Sequence, residues 1–151
     1  AFVAEALVGK GLGAKRGDVF DLAVRRTTML AAATAMLLAL AIILLGDVAV
    51  MLLTDISAIR LAINPLLPLA ALYVLLSFAA FQLDGIFIGA SFTRQMRDAA
   101  VLSIAVYLIA WWALKGPFDV QGLWGAMIIY VIARAMALLL FYPSLRRSVG
   151  V

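Results

Sequence analysis

Three ionisable side chains stand inside otherwise apolar stretches: Glu5, Asp84 and Arg134. A single charge near the middle of a bilayer costs at least about 3 kcal/mol, so such residues face a bundle interior, pair with one another, or line a path for ions or substrate. Asp84 is the most informative. Read as one helix at about 1.5 Å rise per residue, the segment from Asp84 to Arg94 places the carboxyl about 15 Å deep. Ser77, Phe81 and Asp84 follow the i, i+4, i+7 spacing of one helical face, with Gln82 beside them, so a polar and aromatic stripe points into the bundle. Burial favours the neutral carboxyl and a neighbouring cation favours the carboxylate, which leaves Asp84 open to three roles: proton carrier, sodium ligand, or half of a buried ion pair. Arg134 lies about 18 Å by helical rise from both Gly122 and Arg146. There it reads as a charge partner for Asp84 or Glu5, or as a snorkelling arginine, ahead of substrate contact. Glu5 precedes Lys10 closely and stands either in the bundle or hydrated near the membrane edge.

The elements that must position these residues follow from composition. Of 151 residues, 67% are hydrophobic and 13% charged, with a mean hydropathy of +1.15, a make-up that excludes an ordinary water-soluble globule. Long apolar stretches run from Met29 to Leu45, Leu66 to Phe81, Ala99 to Leu114 and Leu123 to Phe141, with a shorter one from Ala1 to Val8. Since about 20 apolar residues cross a bilayer as a helix, an all-α, polytopic transmembrane helix bundle is expected. Its spans fall at about 1–9 (partial), 27–46, 64–89, 99–114 and 122–142. The chain opens directly on AFVAEALVG without a basic leader, and reads as one entered in the middle of a helix. Cysteine and histidine are absent, which removes disulfides, thiol catalysis and imidazole proton shuttles. With no HExxH, GxSxG or clustered carboxylates at a loop mouth, neither an enzyme nor a metal or organic cofactor is expected.

The formal charge of +4 reads as topology rather than as affinity for nucleic acid. The first loop holds Lys10, Lys15, Arg16, Arg25 and Arg26, the third Arg94 and Arg97, and the tail Arg146 and Arg147, whereas the second and fourth hold only Arg60 and Lys115. By the positive-inside rule the first and third loops and the C-terminus face the cytoplasm. Gly9, Gly11 and Gly13 in VGKGLGAK lack the preceding strand and following Ser or Thr of a phosphate loop, and read as a closely packed helix end. Gly85 and Gly89 form a small-xxx-small pair expected to touch another helix. Pro65 and Pro68 begin the second long span, with Pro68 loosening it locally. Trp111, Trp112 and Trp124 read as an interfacial aromatic belt.

Beyond these patterns, AFVAEALVGKGLGAKR, the pair Arg25 and Arg26, the LLTD turn at Leu52 to Asp55, and above all FQLDGIFIGASFTRQMRDA from Phe81 to Ala99 carry a resemblance. Together they resemble the C-terminal lobe of a multidrug and toxic compound extrusion (MATE) transporter of the DinF-like branch. The resemblance implies a twelve-helix, two-lobe fold, of which this chain supplies the end of helix eight through helix twelve. It also implies cation-driven export, with H+ or Na+ as the coupling ion, of small organic substrates across a bacterial-type inner membrane. Asp84 and Glu5 match acidic positions of the tenth and eighth helices and are the implied ion-coupling residues, with Ser77, Phe81 and Gln82 as cavity-lining candidates. The partners implied are the lipid bilayer, the substrate and an N-terminal lobe lying outside these residues, which makes the chain a fragment. The alternative is a small stand-alone four-span membrane scaffold whose polar residues only bind helices together.

Overall fold

The computed structural model describes residues 2–14 and 16–148, and Ala1, Lys15 and the last three residues lie outside that range. Every described element is helical. Helix α1 (Phe2–Gly13) is followed by the 37-residue α2 (Gly17–Leu53), a short α3 (Ser57–Ile63), a 3-10 turn (Asn64–Leu66), α4 (Leu67–Gly89) and α5 (Thr93–Ser148).

Helix α5 is not one rod. Asp119 adopts φ 49° and ψ −124°, a left-handed conformation that reverses the chain beside Pro117. The two arms, 93–118 and 120–148, then lie antiparallel. A Cβ on Gly122 would stand 2.8 Å from the carbonyl carbon of Leu114, and the Tyr107 and Tyr130 rings meet edge to face at 6.1 Å. Three helical segments are long and apolar enough to cross a membrane: 17–53, 57–89 and 93–148. Each arm of the last exceeds the roughly 20 residues that a crossing requires.

Loops are shorter than the charge pattern suggests. Asp47, just beyond the expected span 27–46, lies within α2, which runs on to Leu53. Gly46 faces the Leu67 side chain, and a Cβ at this glycine would stand only 2.9 Å from Leu67 Cδ1, so its missing side chain gives α4 room to start there. Arg60 completes the end of α2 by donating from Nε to the Thr54 carbonyl at 2.8 Å and from Nη2 to the Met51 carbonyl at 3.1 Å. A cation there answers the unpaired carbonyls of the last turn. Pro65 ends α3 in the 3-10 turn, and Pro68 falls in the first turn of α4, where no N–H is needed.

The core gathers at one end of the bundle. Val8, Phe20, Ile86, Phe87, Ala99, Leu138 and Leu145 are all but fully buried and form one cluster joining α1, α2, α4 and α5. The same end carries the Arg146–Asp21 ion pair at 2.7 Å. Elsewhere the helices turn leucine outward, as at Leu37, Leu44 and Leu140, the inverse of a soluble domain and the surface that lipid or further helices would cover.

Candidate functional site

Helix α4 packs against α1, α2 and α5, and its polar residues are shared out among these neighbours. Asp84 turns to α5. The Arg134 guanidinium holds its carboxylate by both oxygens, Nε donating to Oδ2 at 3.1 Å and Nη2 to Oδ1 at 2.8 Å. The Asp84 side chain is 17% exposed and that of Arg134 13%. Two parallel charge-assisted bonds make this the strong, fork-on-fork form of a carboxylate pair. The second arm of α5 presents Arg134 because its neighbours Val131, Ala135 and Leu138 are buried at helical spacing, which turns that face toward α4. The remaining nitrogen, Arg134 Nη1, is buried and has no hydrogen-bond partner among the described residues.

Gln82 turns to α2. Its amide donates to Thr27 Oγ1 at 2.7 Å and to Thr28 Oγ1 at 3.3 Å, and the Thr27 hydroxyl donates in turn to the Ala23 carbonyl at 2.8 Å. Gln82, Thr27 and Ser77 are all buried. Ser77 spends its hydroxyl within α4, donating to the Val74 carbonyl at 3.0 Å.

Ser77, Phe81 and Gln82 border a cavity of about 410 Å³ between α1, α2 and α4, together with Thr27, Thr34 and Phe78. Its wall is chiefly apolar with a few hydroxyls and one amide, the lining that suits an amphipathic organic molecule. Phe81 is exposed despite lining it. Gln82 is also part of the wall of a second cavity, of about 260 Å³, between α2, α4 and α5.

The expected single stripe is therefore divided. Ser77, Phe81 and Gln82 border the larger cavity, but Asp84 is not in its wall. The segment from Asp84 to Arg94 is not one helix: α4 stops at Gly89, about 7.5 Å of helical rise beyond Asp84, and Arg94 belongs to α5. Of the partners open to Arg134, the structure supplies Asp84. Glu5 is half-buried on α1 and makes no ion pair among the described residues. Its backbone crosses α4 at Gly89 instead.

Sequence reading missed Thr27 and Thr28. Their signal was two adjacent hydroxyls just inside an apolar span, directly after the Arg25–Arg26 pair. The tryptophans also divide. Trp124 packs edge to face on Tyr73 at 6.2 Å, Trp112 is exposed, and Trp111 lies under Lys115 Nζ, 4.9 Å from its ring centre. Among the described residues no group of three acidic side chains is placed to hold a metal ion.

Comparison with known proteins gives a match to a family model described as MatE, which spans residues 2–112. No curated protein and no solved structure matches the chain.

Proposed function

The chain belongs to the MatE family, and on that footing we propose that it forms part of one lobe of a cation-coupled antiporter exporting small organic molecules from the cytoplasm. In this reading α1 is the end of helix eight, α2 is helix nine, α3 and α4 together are helix ten, and the two arms of α5 are helices eleven and twelve. The branch is DinF-like, the other lobe lies N-terminal, and the basic loops and C-terminus face the cytoplasm of a bacterial-type inner membrane. H+ or Na+ drives export, with Asp84 and Glu5 as the coupling acids and the cavity bordered by Ser77, Phe81 and Gln82 on the substrate path.

The observation that carries this reading is Asp84, a carboxylate on an apolar helix of a MatE chain, largely buried against α5. The test uses the complete transporter in proteoliposomes loaded with a fluorescent lipophilic cation. An imposed proton or sodium gradient drives efflux in the natural protein, and Asp84→Asn abolishes the ion-driven component. Exchange of labelled for unlabelled substrate, which needs no gradient, persists in the variant and reports that it is folded. Full ion-driven efflux by Asp84→Asn would remove Asp84 from the coupling mechanism.

A further inference from the structure

Asp84 is not a vacant carboxylate. Both of its oxygens are engaged by the Arg134 guanidinium in a two-bond fork. Any cation that loads this acid meets a group whose charge is already neutralised, and a second positive charge beside Arg134 is repelled in a low-dielectric bundle. Loading and the ion pair therefore exclude each other. Building on the assignment of Asp84 to coupling, we propose that Arg134 is a tethered counter-cation that the coupling ion must displace, so that Arg134 sets the ion concentration at which the transporter loads.

Three observations support a displaceable arginine. The pair is not fully buried by the described helices, with Asp84 17% and Arg134 13% exposed. The guanidinium comes from a different helix, so its release, by side-chain rotation or by relative movement of α4 and α5, unfolds neither. Asp84 holds the guanidinium by Nε and Nη2 only, and Nη1 has no hydrogen bond among the described residues, so no third tie anchors Arg134 in place.

Among the described residues no cation other than Arg134 pairs with Asp84. Within the apolar segments 27–46, 99–114 and 122–142 of the packed helices, Arg134 is the single charged side chain. α1 carries Glu5, which crosses α4 by its backbone at Gly89, and Lys10 in its last turn, and α2 presents the uncharged Thr27 and Thr28 to α4.

The experiment measures ion-driven efflux by the complete transporter as a function of sodium at fixed pH, and of pH without sodium, for the natural protein, Arg134→Lys and Arg134→Met. Lysine keeps the charge but loses the fork, and is expected to lower the half-maximal concentration of the driving ion about threefold. Methionine removes the competitor and is expected to lower it about tenfold or more. Should the methionine variant fail to fold, the lysine variant decides alone. An unchanged or raised half-maximal concentration in a folded Arg134 variant overturns the proposal. That failure is separate from failure of the coupling assignment, which appears as full ion-driven efflux by Asp84→Asn.

Discussion

A Cβ placed on Gly89 would stand 3.0 Å from the Cα of Glu5, so α4 and α1 meet backbone to backbone where these two residues cross. Gly9, one turn further along α1, lies against the same place, its own Cβ position 3.3 Å from the Gly89 carbonyl oxygen. Small residues allow the approach, and dispersion between the two backbones holds it. Because the obstructing atoms are main chain, they cannot rotate aside. Gly89→Ala is therefore expected to push α1 from α4 and destabilise the protein by about 1–3 kcal/mol. Gly13→Ala, whose Cβ meets nothing within 4 Å, is the matching control and should leave the melting temperature unchanged. Equal thermal stability of the two variants would show that the crossing tolerates a methyl group.

The Asp84–Arg134 pair makes a second stability prediction. Removing either partner strands the other charge, so Asp84→Leu and Arg134→Met should each cost roughly 3–5 kcal/mol. The double variant should recover more than half of the loss, since two apolar side chains leave no buried charge behind. Thermal unfolding in detergent supplies the cycle, and additive losses in the double variant would mean that the two side chains are not coupled.

Gln82 ties α4 to α2 through Thr27 and Thr28. Hydrogen bonds between membrane helices average about 0.6 kcal/mol and reach about 1.7. Gln82→Leu should fall within that range, and in a Thr27→Val background the same change should cost less. An identical loss in both backgrounds would show that the amide contributes by packing alone.

Sidedness is testable because the chain contains no cysteine. Single cysteines at Ser57, Ser91, Gln121 and Ser148, all on the exposed surface, give a complete set of reporters. In the full-length transporter an impermeant maleimide added to intact cells should label positions 57 and 121 but not 91 and 148. Labelling of position 91 from outside would reverse the assigned orientation.

Much of the all-helical bundle was legible in the residues themselves, because a chain in lipid must satisfy its backbone within each helix and needs about 20 apolar residues to do so. Composition, span length and the alternation of arginine-rich loops needed no tertiary information. Helix ends were less legible. Asp47 lies beyond the span expected from sequence, yet α2 continues through it to Leu53, with Leu67 of α4 packed over Gly46. The turn at Asp119 instead follows local cues, Gly116 and Pro117 beside a residue type that tolerates positive φ.

For the candidate site, sequence by itself determined that Asp84 and Arg134 lie within apolar helices and that Ser77, Phe81 and Asp84 share a helical spacing. Spacing specifies angles around one helix and says nothing of which neighbour stands at each angle. Only tertiary structure decided that Arg134 rather than another group answers Asp84, fifty residues away. The same packing turned Gln82 toward Thr27 and left the cavity without the carboxylate. The physical reason is that α1, α2 and α5 each claim a different side of α4, and buried polar groups settle on whichever neighbour offers a complementary donor or acceptor.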